Sequence, residues 1–159
     1  MGRKTDLDAL LVKLLNSRRV AALGTQGLDG SPFVSMVPFT KLIGESTVVI
    51  HVSSLAPHTA NMEKNSTVSL MIMAKEPLKK MVHALPRVTF KGEAKSLSTD
   101  TPEWNTARTA YLRRFPEAMP MTLLDDFKFI EIQLNFAHQV AGFGAARSLD
   151  KVLLKTIFT

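Results

Sequence analysis

The chain has 159 residues, with 20 Lys and Arg against 14 Asp and Glu (formal charge +6), 45% hydrophobic residues and no cysteine. That length suits one domain, read as residues 1–159, and ordinary apolar and charged fractions exclude wholesale disorder and collagen-like structure. The lack of cysteine excludes disulfides, thiolate metal sites, iron–sulfur ligation and cysteine nucleophiles, and fits a reducing, cytoplasmic setting.

The first predicted element is a helix over about residues 5–18. Leu7, Leu10, Leu11, Leu14 and Leu15 form one apolar stripe at i, i+3, i+4, i+7 and i+8. Thr5 with Asp8 resembles a capping pair, and Arg18 and Arg19 suit the negative end of the helix dipole. Strands are predicted at Val20–Thr25 and Pro32–Phe39, joined by the turn residues Gln26 to Gly30. Lys41–Ser46 makes another turn, and the β-branched run Thr47–Val52 reads as a central strand. A loop then leads to a short helix, His58–Lys64, with Pro57 at its start, where a missing N–H costs nothing.

Val68–Met73 is apolar throughout and reads as a strand covered on both faces. Ala74–Leu85 is loop with helical turns, and Arg87–Ala94 alternates as a strand. Ser98 or Thr99 is expected to cap a helix opened by Pro102 and running to Arg114, before Pro116 stops it. Phe127–Leu134 is a strand, Val140–Ala145 a short glycine-punctuated apolar segment, and Val152–Phe158 a final strand or docked piece of a tail over about 148–159. Five to seven strands, few helices and no βαβ rhythm predict a mostly β fold with flanking helices, a small antiparallel barrel.

Several chemistries are missing. The sequence has no G-x-S-x-G elbow, no H-E-x-x-H and no Walker loop, and Arg147 stands where a dinucleotide fingerprint begun at Gly142 needs a third small residue. The histidines at 51, 58, 83 and 138 show no paired ligand spacing, so no metal site is expected. Basic residues are scattered rather than gathered into an arm, and no apolar run approaches the ~18–20 residues of a membrane span. Neither nucleic acid nor a membrane is therefore an expected partner. What remains is Ser53–Met62, a strand-to-helix connection offering hydroxyls, His58 and free backbone amides to an anion. Arg87, at the start of a strand, offers paired hydrogen bonds to a phosphate or a heterocycle carbonyl, and Ser35 and Thr40 offer hydroxyls to a planar ligand.

Three blocks occur in order: V-A-A-L-G-T…G-S-P-F-V-S-M-V-P-F, H-V-S-S-L-A-P-H-T-A-N-M-E-K-N-S-T-V-S-L-M-I, and P-R-V-T-F-K-G-E-A. Over roughly residues 18–148 this resembles the pyridoxamine 5′-phosphate oxidase-like superfamily of FMN-binding split barrels. Asp126–Phe129 and Val140–Ala146 look like its haem-utilisation branch. The resemblance implies a six-stranded antiparallel split β-barrel that forms a homodimer with cofactor at the interface.

Carried onto matching positions, it implies FMN contacts at Ser35, Met36, Val37, Pro38 and Thr40, at His51 and Val52, at His58 and Thr59, and at Arg87. Ser35 stands where oxidases carry an arginine and Pro57 replaces another, and the C-terminal signature for the pyridoxal substrate is not evident. Oxidation of pyridoxamine phosphate itself is therefore not expected. The haem branch uses a histidine on a C-terminal extension, supported by an acidic residue that Asp126 matches; no histidine follows His138, which is read as structural. The leading expectation is an FMN-dependent oxidoreductase acting on a small-molecule substrate, with no catalytic residue assigned. The alternatives are a haem-binding or haem-degrading protein and a non-catalytic ligand-binding module.

Overall fold

The computed structural model describes residues 2–79 and 81–159; the side chains of residues 2–5, and with them the Thr5 cap, lie outside the described residues. In chain order the elements are α1 (Gly2–Ser17), β1 (Val20–Gln26), β2 (Pro32–Leu42), β3 (Thr47–Ser53), α2 (Pro57–Lys64), β4 (Thr67–Met73), β5 (Arg87–Ser96), α3 (Pro102–Arg114), β6 (Phe127–Val140), β7 (Ala146–Asp150) and α4 (Lys151–Ile157). Short 3₁₀ segments cover Val82–Ala84 and Pro116–Leu123.

The strands run in the order β3-β2-β1-β4-β5-β6-β7, every ladder is antiparallel, and β3 also pairs with β6. That last pairing closes β1 to β6 into a six-stranded barrel. β6 makes closure possible by its length of 14 residues. Along one edge it pairs with β5 over nearly its whole span, from Ser96↔Ile130 to Arg87↔Val140. Along the other edge, β3 takes residues 127–133 and β7 takes residues 136–140.

Alternation sorts the side chains. Leu23, Phe39, Ile50, Leu70, Phe90 and Ile132 meet inside the barrel, and α1 and α4 add Leu11, Leu15, Leu154 and Phe158 to the same core. A second cluster lies outside the barrel wall, where Trp104, Ala107 and Tyr111 of α3 pack on Leu42, Val49 and Phe129. β3 is sandwiched between the two, which is why six of its seven residues are buried and why a β-branched run suits it.

Several boundaries differ from the sequence expectation for identifiable reasons. Leu10 is 45% exposed, because the buried stripe of α1 is the narrower set Leu11, Leu14 and Leu15. β4 is not covered on both faces: Val68, Leu70 and Ile72 are buried, whereas Met73 is exposed and Ser69 and Met71 are half-buried. The cap of α3 is Thr101, whose Oγ1 accepts from the Trp104 N–H at 3.2 Å, rather than Ser98 or Thr99. β6 extends to Val140, and β7 replaces the first part of the expected tail. Val152–Phe158 is helical rather than extended: the Asp150 carboxylate accepts from the Val152 and Leu153 N–H groups at 3.0 and 2.9 Å, which starts α4.

The β5–β6 ladder shifts register between Lys91 and Gly92. A Cβ on Gly92 would lie 2.5 Å from the Gln133 carbonyl oxygen and 3.0 Å from Ile132 Cγ2, so only glycine lets the two backbones approach there. Gly92→Ala is expected to destabilise the fold by about 1–3 kcal/mol through this overpacking. Urea denaturation measures it, and an unchanged midpoint would show that the bulge adjusts freely.

Candidate ligand-binding site

The β2–β3 ladder is short, running only from Phe39↔Ile50 to Leu42↔Thr47, because beyond Ile50 β3 continues along β6 instead. Residues 32–38 of β2 therefore have β1 on one edge and no strand on the other. The Phe39 N–H donates to the Arg19 carbonyl on the β1 side. Period-two alternation then directs the N–H groups of Val34 and Met36 to the open edge, where Pro38 has none to offer. This is the split of the barrel.

The structure places the sequence-predicted residues on different faces of the barrel rather than in one cluster. Val37 and Val52 point into the barrel core. Met36 points outward and is 64% exposed. Ser35 Oγ is buried without a hydrogen-bond partner. Pro38 is half-buried, and Thr40 is buried at the rim of a separate cleft facing α3. Arg87 lies three strands from Met36, about 14 Å at the usual strand spacing. Its Nη1 donates to the Leu85 carbonyl at 3.0 Å and the His83 carbonyl at 3.4 Å, so this guanidinium pins its own loop.

The connection from β3 to α2 is a structural joint. Thr59 Oγ1 donates to the Ser53 carbonyl at 2.6 Å, and Ser53 Oγ accepts from the Leu55 N–H. The Asp126 carbonyl, just before β6, accepts from the Ser54 N–H. His58 Nε2 is buried and unpartnered, and burial lowers the pKa of this imidazole, so it is neutral near pH 7 and offers a phosphate no positive charge. Asn61 Nδ2 donates to Thr25 Oγ1 at 3.0 Å and locks α2 onto β1, a buried pair the sequence reading missed.

His51 sits under α3, its ring 4.4 Å from Phe129, 5.1 Å from Phe127 and 5.7 Å from Tyr111, centroid to centroid. Its Nδ1 is buried with no partner, and burial lowers its pKa to about 4. Burial, followed by the charge of Glu117, pushes Tyr111 up to about 12.

The open surface is the outer face of β2, β1, β4 and β5. Its rows follow from the ladders: Met36 opposite Ala22, Ala22 opposite Met71, Met71 opposite Thr89, and Thr89 opposite His138. A trough of about 400 Å³ runs over Ala22, Met36, Met71 and Met73, with Arg18 and Lys75 at its margin. A neighbouring one of about 520 Å³ runs over Gly24, Phe33, Val34 and Ser69 to Lys91. His138, expected to be structural, is exposed on this face, its Nδ1 3.5 Å from Ser148 Oγ. The sequence reading missed Met71, Met73, Lys91 and His138 as surface groups. The V-S-L-M-I-M alternation in β4 is the signal that places the first two outward.

Six antiparallel strands closed by the β3–β6 ladder, with an open edge on β2, define a split barrel, and the comparisons agree on the fold. The pyridoxamine 5′-phosphate oxidase family profile matches residues 7–141, and the chain belongs to that family. It is 28% identical over 141 residues to the heme oxygenase HutZ of Vibrio cholerae, covering 88% of this chain and 79% of HutZ. It is 31% identical over 135 residues to the non-canonical heme oxygenase HOZ of Arabidopsis thaliana, covering 84% of this chain and 40% of HOZ. A heme-binding protein from Mycobacterium smegmatis superposes with a TM-score of 0.83 at 25% identity, over 94% of this chain and 60% of that one. The chain thus spans less than two thirds of the length of two of these three relatives.

The His51 pKa carries a stability prediction. Folded His51 titrates near 4, below its ordinary 6.5, so the unfolded chain binds the extra proton between those values. Stability is full above about pH 6.5 and falls as the pH drops toward 4, by on the order of 2 kcal/mol from this group. Urea titrations at pH 7.0 and 4.5 should show that loss in the native protein and a smaller one in His51→Phe. Equal losses in the two proteins would remove His51 from the account.

Proposed function

We propose that the protein binds haem on the outer face of the barrel, between two copies of the chain, and acts in haem breakdown. The observation that carries this reading is the surface itself. Val20, Val34, Met36 and Met73 are exposed together on one sheet face, with Met71 and Ala22 between them. Haem is a flat, largely apolar ring with two carboxylates and an iron atom that takes a nitrogen or sulfur ligand. The face offers an apolar floor built on small Ala22 and Gly24 and cations at Arg18, Lys75 and Lys91 for the carboxylates; His138, at the β6 end of the row two strands from Met71, is assigned to the iron. Ser148 beside His138 Nδ1 orients the imidazole and leaves Nε2 free. An apolar area of this kind is unfavourable in a monomer, and a second protomer laid across it would bury both the face and the ligand.

The relatives support the same direction, since all three are named for heme and cover most of this chain. FMN is the second reading. It is supported by the family match and by the Val34 and Met36 amides at the open edge of β2. Against it stand a neutral His58, a Thr59 hydroxyl already engaged by Ser53, and the serine at position 35. The absence of cysteine and of any helix, among the described residues, long and apolar enough to cross a membrane is compatible with work in the cytoplasm.

Hemin titrated into the purified protein should give a shifted Soret band saturating at a fixed stoichiometry, and light scattering should report a dimer. His138→Ala should lose the band shift or convert it to a weak, non-histidine spectrum, whereas His83→Ala should not. With ascorbate and oxygen, the Soret band of the bound haem should decay. Retention of FMN with no Soret shift would replace this reading by the flavin one, and a strict monomer would remove the shared site.

A further inference from the structure

A cleft of about 730 Å³ lies on the other side of the molecule, between the end of α1, the β2–β3 hairpin and α3. Its lining includes three cations: Lys41 at the end of β2, and Arg113 and Arg114 in the last turn of α3. Arg114 is anchored. Its guanidinium donates to the Leu15, Asn16 and Arg18 carbonyls at the end of α1 and lies 4.9 Å over the Phe39 ring. Those contacts, all made by Nη2, fix its position but bring no carboxylate counter-charge.

Lys41 is half-buried and, among the described residues, makes no hydrogen bond or ion pair. Burial lowers its pKa first, and the Arg114 charge lowers it further; no carboxylate acts on it in the opposite sense. Glu45 also lines the cleft, but its charge falls on Glu131, whose pKa it helps to raise. Arg113 likewise has no partner among the described residues.

Two like charges held together, with no acid paired to Lys41, are unfavourable in the empty protein and become favourable when an anion enters. The rest of the cleft suits the body of such a ligand. Asn105 and Thr109 on α3 present an amide and a hydroxyl that no protein group engages, and Leu42 and Ala110 supply apolar wall. The volume exceeds what a bare oxyanion fills.

From this geometry we propose that the α1–hairpin–α3 cleft is a second ligand site, which takes a small organic phosphate monoester. Its phosphate oxygens sit at Lys41 and Arg113, its polar body against Asn105 and Thr109. The site is separate from the outer barrel face and does not depend on the haem reading.

Titration of the isotopically labelled full chain with glucose 6-phosphate, followed by amide chemical shifts, tests it. Inorganic phosphate, glucose and citrate serve as the comparison probes. The shifts should concentrate at Lys41, Asn105, Thr109 and Arg113, with inorganic phosphate binding more weakly and glucose not at all. Lys41→Met should weaken glucose 6-phosphate by about tenfold, the worth of one charge-assisted hydrogen bond, and Arg113→Gln by a smaller factor. Because Lys41→Met removes an uncompensated charge, its thermal midpoint should rise. Arg113 is exposed, so its variant keeps the test intact should Lys41→Met fail to fold. Shifts spread over lysines and arginines across the surface, undiminished binding in both variants, or tighter binding of citrate than of any phosphate would each overturn the proposal. A lower midpoint in Lys41→Met would overturn the argument that its charge is uncompensated.

Discussion

Everything positioned in this protein depends on how β6 shares its edges. A strand of 14 residues serves β5 on one side and, on the other, β3 and then β7 in succession. Since β3 follows β6 from Thr47 to Ser53, it leaves β2 after only four residue pairs. Closing the barrel on one side thus opens it on the other, and the same pairing that buries Val48, Ile50 and Val52 exposes the backbone edge of β2. Gly92 is the local requirement for this arrangement. Its bulge lets β5 follow β6 through the turn of the barrel wall without a side chain striking the Gln133 carbonyl.

Closure also separates two kinds of surface. Around β3 the outer wall is covered by α3, so His51, Tyr111 and Phe129 lie in a dry aromatic cluster. Around β1 and β4 no helix covers the wall, and the outward positions of those strands remain available. The small residues there, Ala22 and Gly24, keep the sheet face shallow, and the methionines on either side are flexible and polarizable enough to adapt to a flat ligand or to a partner chain. The covered and uncovered walls belong to the same barrel, so packing rather than a motif decides which outward side chains stay accessible.

Much of the fold was legible. The β-branched run at 47–52, the proline openings of α2 and α3, and the alternation in β5 follow directly from local physics, and their elements appear within a residue or two of expectation. The C-terminal region was not legible, because Ala146–Asp150 pairs with β6 through contacts invisible to periodicity. The Asp150 cap was also overlooked beside a tempting apolar run. The faces and partners of the site residues implied by the resemblance were not legible in the sequence. Only the register says that Val37 and Val52 face the core, that Thr59 has spent its hydroxyl on Ser53, and that His138 stands on the outer face opposite Thr89.

The net charge of +6 takes on meaning once its distribution is seen. Several basic groups are spent internally: Arg19 on Glu117, Lys128 on Glu63, Arg147 on Asp8, and Arg114 on the end of α1. Arg18, Lys75 and Lys91 flank the apolar outer face, whereas Lys41 and Arg113 line the cleft behind α3. The two groups differ in cost. Solvated cations at the margin of a sheet cost little and steer anions toward it, while a half-buried lysine beside an arginine is a standing penalty that solvent does not remove. An anion entering the cleft would offset that penalty, whereas the charge of Glu45, which also lines the cleft, bears on Glu131.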